Sequence, residues 1–147
     1  MFSNILICCV GNICRSPMAE ALFRQRASTQ LNNSIEVRSA GTHALIGHAP
    51  DILAIQLMAD RELDISKYGG TKLTTELAHW ADIILVMETS QKRSIEQRHP
   101  TTRGKVFRLL EDEKIDIPDP YRQDISAFKA ALHLIDRGVE QWVGKLA

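Results

Sequence analysis

Cys8, Cys9 and Cys14 fall within seven residues near the N-terminus, and no cysteine follows them. A framework of structural disulfides would spread its cysteines along the chain. A zinc site would need a second ligand group, and the spacing of His43, His48, His79, His99 and His133 supplies none. The pattern leaves thiol chemistry at one place. Cys9 opens the string Cys9-Val-Gly-Asn-Ile-Cys-Arg15-Ser16-Pro17, whose residue types suit an anion. Gly11 and Asn12 tolerate positive φ, so successive backbone N–H groups can converge into a nest. Ser16 reads as a helix N-cap and Pro17 as the first helical residue, which turns a helix N-terminus toward the same loop. Arg15 adds a planar fork matched to two phosphate oxygens. The nucleotide-binding string G-x4-G-K-[ST] is absent.

A field that attracts a dianion also favours a thiolate, so Cys9 is expected to ionise well below the usual thiol value of ~8.5. Facing a bound phosphorus atom, it is arranged for covalent phosphoryl transfer through a cysteinyl-phosphate. Arg15 and the loop amides would stabilise the equatorial oxygens, and the chemistry calls for no metal or cofactor. The departing oxygen needs a proton. Asp119, in Ile117-Pro-Asp-Pro-Tyr121, is the candidate acid, because Pro120 keeps it out of the helical region and stiffens a projecting loop. Standing alone, that segment would read as a solvated turn. Asp116, with no proline after it, ranks behind.

These groups need a scaffold. Apolar runs at residues 5–10, 35–39, 83–87 and 106–110 read as strands, the first and third almost continuously apolar as in strands covered on both faces. Helical patterns occupy about 17–29, 51–62, 74–80, 89–98 and 125–146. In the last, Phe128, Leu132, Ile135, Val139, Trp142 and Leu146 recur at three- and four-residue steps, and Gly138 weakens it by about 1 kcal/mol relative to Ala. Such alternation predicts an α/β fold, a parallel sheet with helices on both faces, with function at the carboxyl ends of the strands. Trp80 and Trp142 read as core, and Cys8 should face the side of the sheet opposite Cys9.

The string from Cys9 to Glu20 resembles the signature of the low-molecular-weight protein tyrosine phosphatases, as do residues 37–42 and 117–121. The resemblance implies a three-layer fold with a four-stranded parallel sheet and hydrolysis of phosphotyrosine by Cys9, Arg15 and the general acid Asp119. It further implies substrate contacts from the loop residues Val10, Gly11, Asn12, Ile13, Cys14 and Ser16, with Ser39 helping Asn12 and Ser16 hold the loop rigid. Walls would come from residues 42–50, where Leu45 or His43 borders the pocket, and from Tyr121. In the family the second loop cysteine forms a reversible disulfide with the nucleophile; for Cys14 a small packed thiol is the other reading. Thr42-His-Ala-Leu45 resembles bacterial members, and the start Asn4-Ile-Leu-Ile7 and the segment from Gly104 to Arg122 resemble them most, which implies a membrane tyrosine autokinase of capsule or exopolysaccharide export as partner.

Three rivals remain. An arsenate reductase on a similar fold would need further thiols, which the chain lacks after Cys14. A cysteine phosphocarrier would not need Asp119, and a phosphopeptide-binding module would not need both Cys9 and Arg15.

Composition bounds the partners. Eighteen Lys and Arg against eighteen Asp and Glu leave no net charge, which removes the electrostatic case for nucleic acid or an anionic membrane surface. The cluster Lys92, Arg93, Arg98, Arg103, Lys105 and Arg108 reads as a solvated face balanced by Glu96 and residues 111–113. No apolar run approaches the ~20 residues that span a bilayer. The run at 5–10 lacks a basic segment before it and a cleavage site after it, so it reads as a strand of a cytoplasmic chain. At 147 residues the expectation is a single domain over 1–147.

Overall fold

The structure is a computed structural model describing residues 2–31 and 35–147. Four strands form one sheet: β1 (Asn4–Cys9), β2 (Glu36–Gly41), β3 (Ile83–Val86) and β4 (Val106–Arg108). They lie in the order β2-β1-β3-β4 and every pairing is parallel. Five helices accompany them: α1 (Arg15–Gln30), α2 (Ile52–Ala59), α3 (Thr75–Trp80), α4 (Thr89–Arg98) and α5 (Ile125–Leu146). The expected elements are all present, with ends displaced by at most three residues.

The period-two alternation of β1 assigns its side chains to two cores. Ile5, Ile7 and Cys9 join a core shared with α1, α2 and α5, while Leu6 and Cys8 join one shared with α3 and α4. Cys8 therefore faces away from Cys9, as expected, and burial pushes its thiol far up, with the neighbouring Cys9 adding to the effect. Helices cover both faces: the fold is three-layer α/β. Chain connections leave β1 for β2 on one side and reach β3 on the other, so the strand order switches direction between β1 and β3. The crevice beyond the carboxyl ends at such a point is where open parallel sheets place ligands.

Helix α5 buries Phe128, Leu132, Ile135, Val139 and Trp142 along one face, and its first turn is capped by Asp124, which accepts from the Ala127 N–H. Gly138 has a packing reason that the sequence concealed. A Cβ there would come within 2.5 Å of Leu109 Cγ and 3.0 Å of the Leu109 carbonyl, so its absence lets α5 close on the end of β4. Trp80 departs from expectation. It is only partly buried, with the Arg38 guanidinium 4.3 Å from its ring centroid. Three members of the basic cluster are held by local partners: Lys92 pairs with Glu96 at 2.9 Å, Arg108 with Asp116 at 3.2 Å, and Lys105 donates to the carbonyls of Ala78 and Ala81.

Candidate active site

β1 ends at Cys9 and α1 begins at Arg15, two residues earlier than expected. Cys14 occupies the N-cap position and makes no side-chain cap bond, so Ser16 is not the cap; it lies in the first helical turn, with Pro17 beside it. The hydroxyl is thereby released for another partner. Of the two residues expected to tolerate positive φ, only Asn12 uses it, at φ 59°.

The intervening carbonyls are drawn outward by the segment after β2. Thr42, His43, Leu45 and Asp51 N–H groups donate to the carbonyls of Cys9, Val10, Gly11 and Ile13 at 3.0, 2.9, 3.1 and 2.8 Å. In a trans peptide the N–H points opposite to the C=O, so the N–H groups of Val10, Gly11, Asn12 and Cys14 face the other way. Among the described residues, those of Gly11, Asn12, Ile13 and Cys14 donate to no protein acceptor. With the free N–H groups of the α1 N-terminus they form an anion receptor. Gly41 permits this stitching, since a Cβ there would lie 2.6 Å from the Val10 carbonyl oxygen.

Arg15 is 1% exposed and held from two directions. Its Nη1 donates to Glu88 Oε1 at 2.5 Å and to the Ile117 carbonyl at 2.7 Å, while Nη2 lies 3.6 Å from Asp119 Oδ2. Nε has no protein partner. A buried guanidinium anchored on one edge thus keeps donors for an oxyanion. Asp119 Oδ1 accepts from the Tyr121 N–H at 3.0 Å, which fixes the carboxylate within its proline-bracketed loop. Asp116 is engaged elsewhere, by Thr89 and Arg108.

Cys9, Arg15 and Asp119 converge on one cavity of about 200 Å³, lined also by Val10, Gly11, Ile13, Cys14, His43, Leu45 and Tyr121. Asn12, Ser16 and Ser39 do not line it. They lie behind the loop, where Ser16 Oγ is 2.9 Å from Cys9 Sγ and Asn12 Nδ2 donates to Ser16 Oγ at 2.7 Å and Ser39 Oγ at 3.0 Å. Their side chains are placed as loop supports, while the backbone N–H of Asn12 stays in the receptor. The three cysteines are free. Burial pushes the Cys14 thiol far up, reinforced by Asp51, Cys9 and Asp119 and opposed by Arg15.

Residues 4–147 match the family model for low molecular weight phosphotyrosine protein phosphatase. The chain belongs to this family. It is 47% identical over 146 residues to the probable low molecular weight protein-tyrosine-phosphatase EpsP of Ralstonia nicotianae, covering 99% of this chain and 97% of that relative. It superposes on the crystal structure of the tyrosine phosphatase Wzb of Escherichia coli K30, in complex with sulphate, with a TM-score of 0.92 at 37% identity and full coverage of both chains. The arginine phosphatase YwlE of Geobacillus stearothermophilus has the same fold, with a TM-score of 0.89 at 30% identity over 99% of this chain and 93% of its own.

In this protein-tyrosine-phosphatase, three polar residues escaped the reading of the sequence: Glu88, which holds Arg15; Glu20, which accepts from Ser39; and Thr71, whose N–H donates to Asn12 Oδ1 at 2.9 Å. Glu88 carried a usable signal. It directly follows the apolar third strand, at the carboxyl edge of the sheet where the site had to lie.

Proposed function

We propose that this phosphatase hydrolyses phosphotyrosine in proteins through a cysteinyl-phosphate on Cys9, acting as one unit over residues 1–147. The observation that carries the reading is the meeting of Cys9, the anchored Arg15 guanidinium and Asp119 around one cavity whose loop carbonyls are turned away. The phosphate dianion seats on the loop N–H groups and on Nε and Nη2 of Arg15. The Cys9 sulfur, as thiolate, attacks phosphorus; the P–O bond to the tyrosyl oxygen breaks as Asp119 turns from Arg15 and gives that oxygen its proton. Asp119, now a carboxylate, takes a proton from water. The water oxygen attacks phosphorus, the S–P bond breaks, and inorganic phosphate leaves with the thiolate restored.

Tyr121 and Leu45 form the wall for the aromatic ring, and the depth of the cavity favours a phenyl ester over the shorter serine ester. The resemblance of residues 4–7 and 104–122 to bacterial members, with the likeness to EpsP and Wzb, supports a membrane tyrosine autokinase of capsule or exopolysaccharide export as the substrate, met in the cytoplasm.

Turnover of phosphotyrosine peptide and of aryl phosphates is the test, comparing wild type, Cys9→Ser and Asp119→Asn. Cys9→Ser loses essentially all activity. Asp119→Asn loses roughly 10²-fold with a tyrosine leaving group and less with a more acidic phenol. Equal activity in the three proteins, or hydrolysis of phosphoarginine in preference to phosphotyrosine, overturns the reading.

A further inference from the structure

Behind the loop lies a second cavity of about 290 Å³, lined by Asn12, Glu20, Arg24, Arg38, Ser39 and Tyr68 among others. The mechanism above leaves its chemistry unused. The Glu20 side chain is 8% exposed, pairs with Arg24 at 2.6 Å and accepts a short hydrogen bond from the Ser39 hydroxyl. A carboxylate that buried needs partners of this kind.

The donors and acceptors fix a direction along the chain of bonds from Glu20 to Cys9. The Thr71 N–H donates to Asn12 Oδ1, which assigns the orientation of the Asn12 amide. Both Nδ2 protons are then committed, one to Ser16 Oγ and one to Ser39 Oγ. Each hydroxyl accepts from Asn12 and keeps its own proton to give. Ser39 gives its proton to Glu20, and Ser16 has one to give to the Cys9 sulfur, which as a thiolate can only accept.

We propose that Glu20 is a positioning residue for Cys9: its carboxylate, on the far side of the loop, takes the Ser39 proton and with the Thr71 N–H holds the Ser39–Asn12–Ser16 chain in the polarity that delivers a hydroxyl proton to the sulfur. The inference rests on Cys9 being the nucleophile. Glu20 is faced by Arg24 on its own helix, by Ser39 and Arg38 from β2, and by Tyr68, whose hydroxyl accepts from Arg24 at 3.3 Å. Burial pushes the Glu20 carboxyl up, while the Ser39 bond and Arg24 pull it partly back. A protonated Glu20 releases Ser39 to turn its proton elsewhere, which loosens the hold on Asn12.

The test is the pH dependence of Cys9 carboxymethylation by iodoacetate in the full chain, read on the Cys9 peptide by mass spectrometry. Glu20→Ala moves the midpoint up by about 0.5–1 pH unit with an unchanged alkaline plateau. Glu20→Gln, which keeps an acceptor for Ser39, moves it less. Ser39→Ala matches Glu20→Ala, and the double variant moves no further than either. A midpoint that stays put or falls in Glu20→Ala, or additive shifts in the double variant, overturns the proposal; where Glu20→Ala does not fold, an unmoved Ser39→Ala midpoint does so. A wild-type midpoint at the free-thiol value of ~8.5 would instead defeat the nucleophile assignment itself.

Discussion

Cys9, Asn12, Arg15 and Ser16, on and beneath the floor of the front cavity, are at most 4% exposed, whereas Val10, Leu45 and Tyr121 on its rim are each 39% exposed. Asn12, Arg15 and Ser16 under the floor each hydrogen-bond a neighbouring group, so changing one leaves another unsatisfied. The rim residues make apolar surface and can be exchanged without stranding a partner. On the proposed mechanism floor and rim divide the labour: the first would set the reaction, the second would select what reaches it.

The sharpest attack on this division is on the floor. Arg15→Lys keeps the charge but removes the fork, and steady-state kinetics should show a loss of roughly 10²–10³ in kcat. Glu88→Gln leaves Arg15 in place with one fewer ionic partner. It is expected to cost about tenfold in kcat and about 1–2 kcal/mol in denaturant unfolding. If Glu88→Gln matched Arg15→Lys, Glu88 would have a part in the chemistry beyond holding the guanidinium.

Rim variants should separate cleanly from these. Leu45→Ala and Tyr121→Ala change activity on a phosphotyrosine peptide by less than about tenfold, expressed in KM more than in kcat. They leave a small aryl phosphate nearly unaffected. A collapse of kcat in either would erase the distinction between floor and rim.

The smallest effect on catalysis is expected farthest from the site, at Asp82, which ties the start of β1 to the start of β3. Its carboxylate accepts from the N–H groups of Asn4 and Ser3 at 2.9 and 3.0 Å, and these bonds hold it below the usual carboxylate range. A depressed folded-state value means stability that is present at neutral pH and is lost as pH falls below about 4 and on through the folded value. Asp82→Asn should therefore lower Tm at pH 7, converge with wild type in acid, and leave kcat alone. Thermal melts across that range check the sign.

The same contrast explains what the sequence could reveal. The β1–loop–α1 unit was legible because its strand, anion-binding loop and helix start are contiguous, and α5 because its apolar period runs for about five turns. Asp119 was legible through the two prolines that bracket it. Glu88, Glu20 and Thr71 reach their partners across 73, 19 and 59 residues, and no local pattern encodes such pairings. Ser16 was misread as the cap because Ser-Pro suits a helix start so well. The helix begins two residues earlier, at Arg15 with Cys14 in the cap position, and so frees that hydroxyl for the sulfur. Gly138 was legible only as a propensity cost in α5, because only the packed structure reveals Leu109 against it.

The most direct measurement is rapid quenching of the enzyme during turnover of an aryl phosphate, followed by mapping of the phosphorylated residue by mass spectrometry. Covalent phosphate on Cys9, accumulating in Asp119→Asn with an acidic phenol leaving group and absent from Cys9→Ser, is the predicted result. Steady turnover with no phosphoenzyme in any of these proteins, or phosphate on another residue, would contradict it.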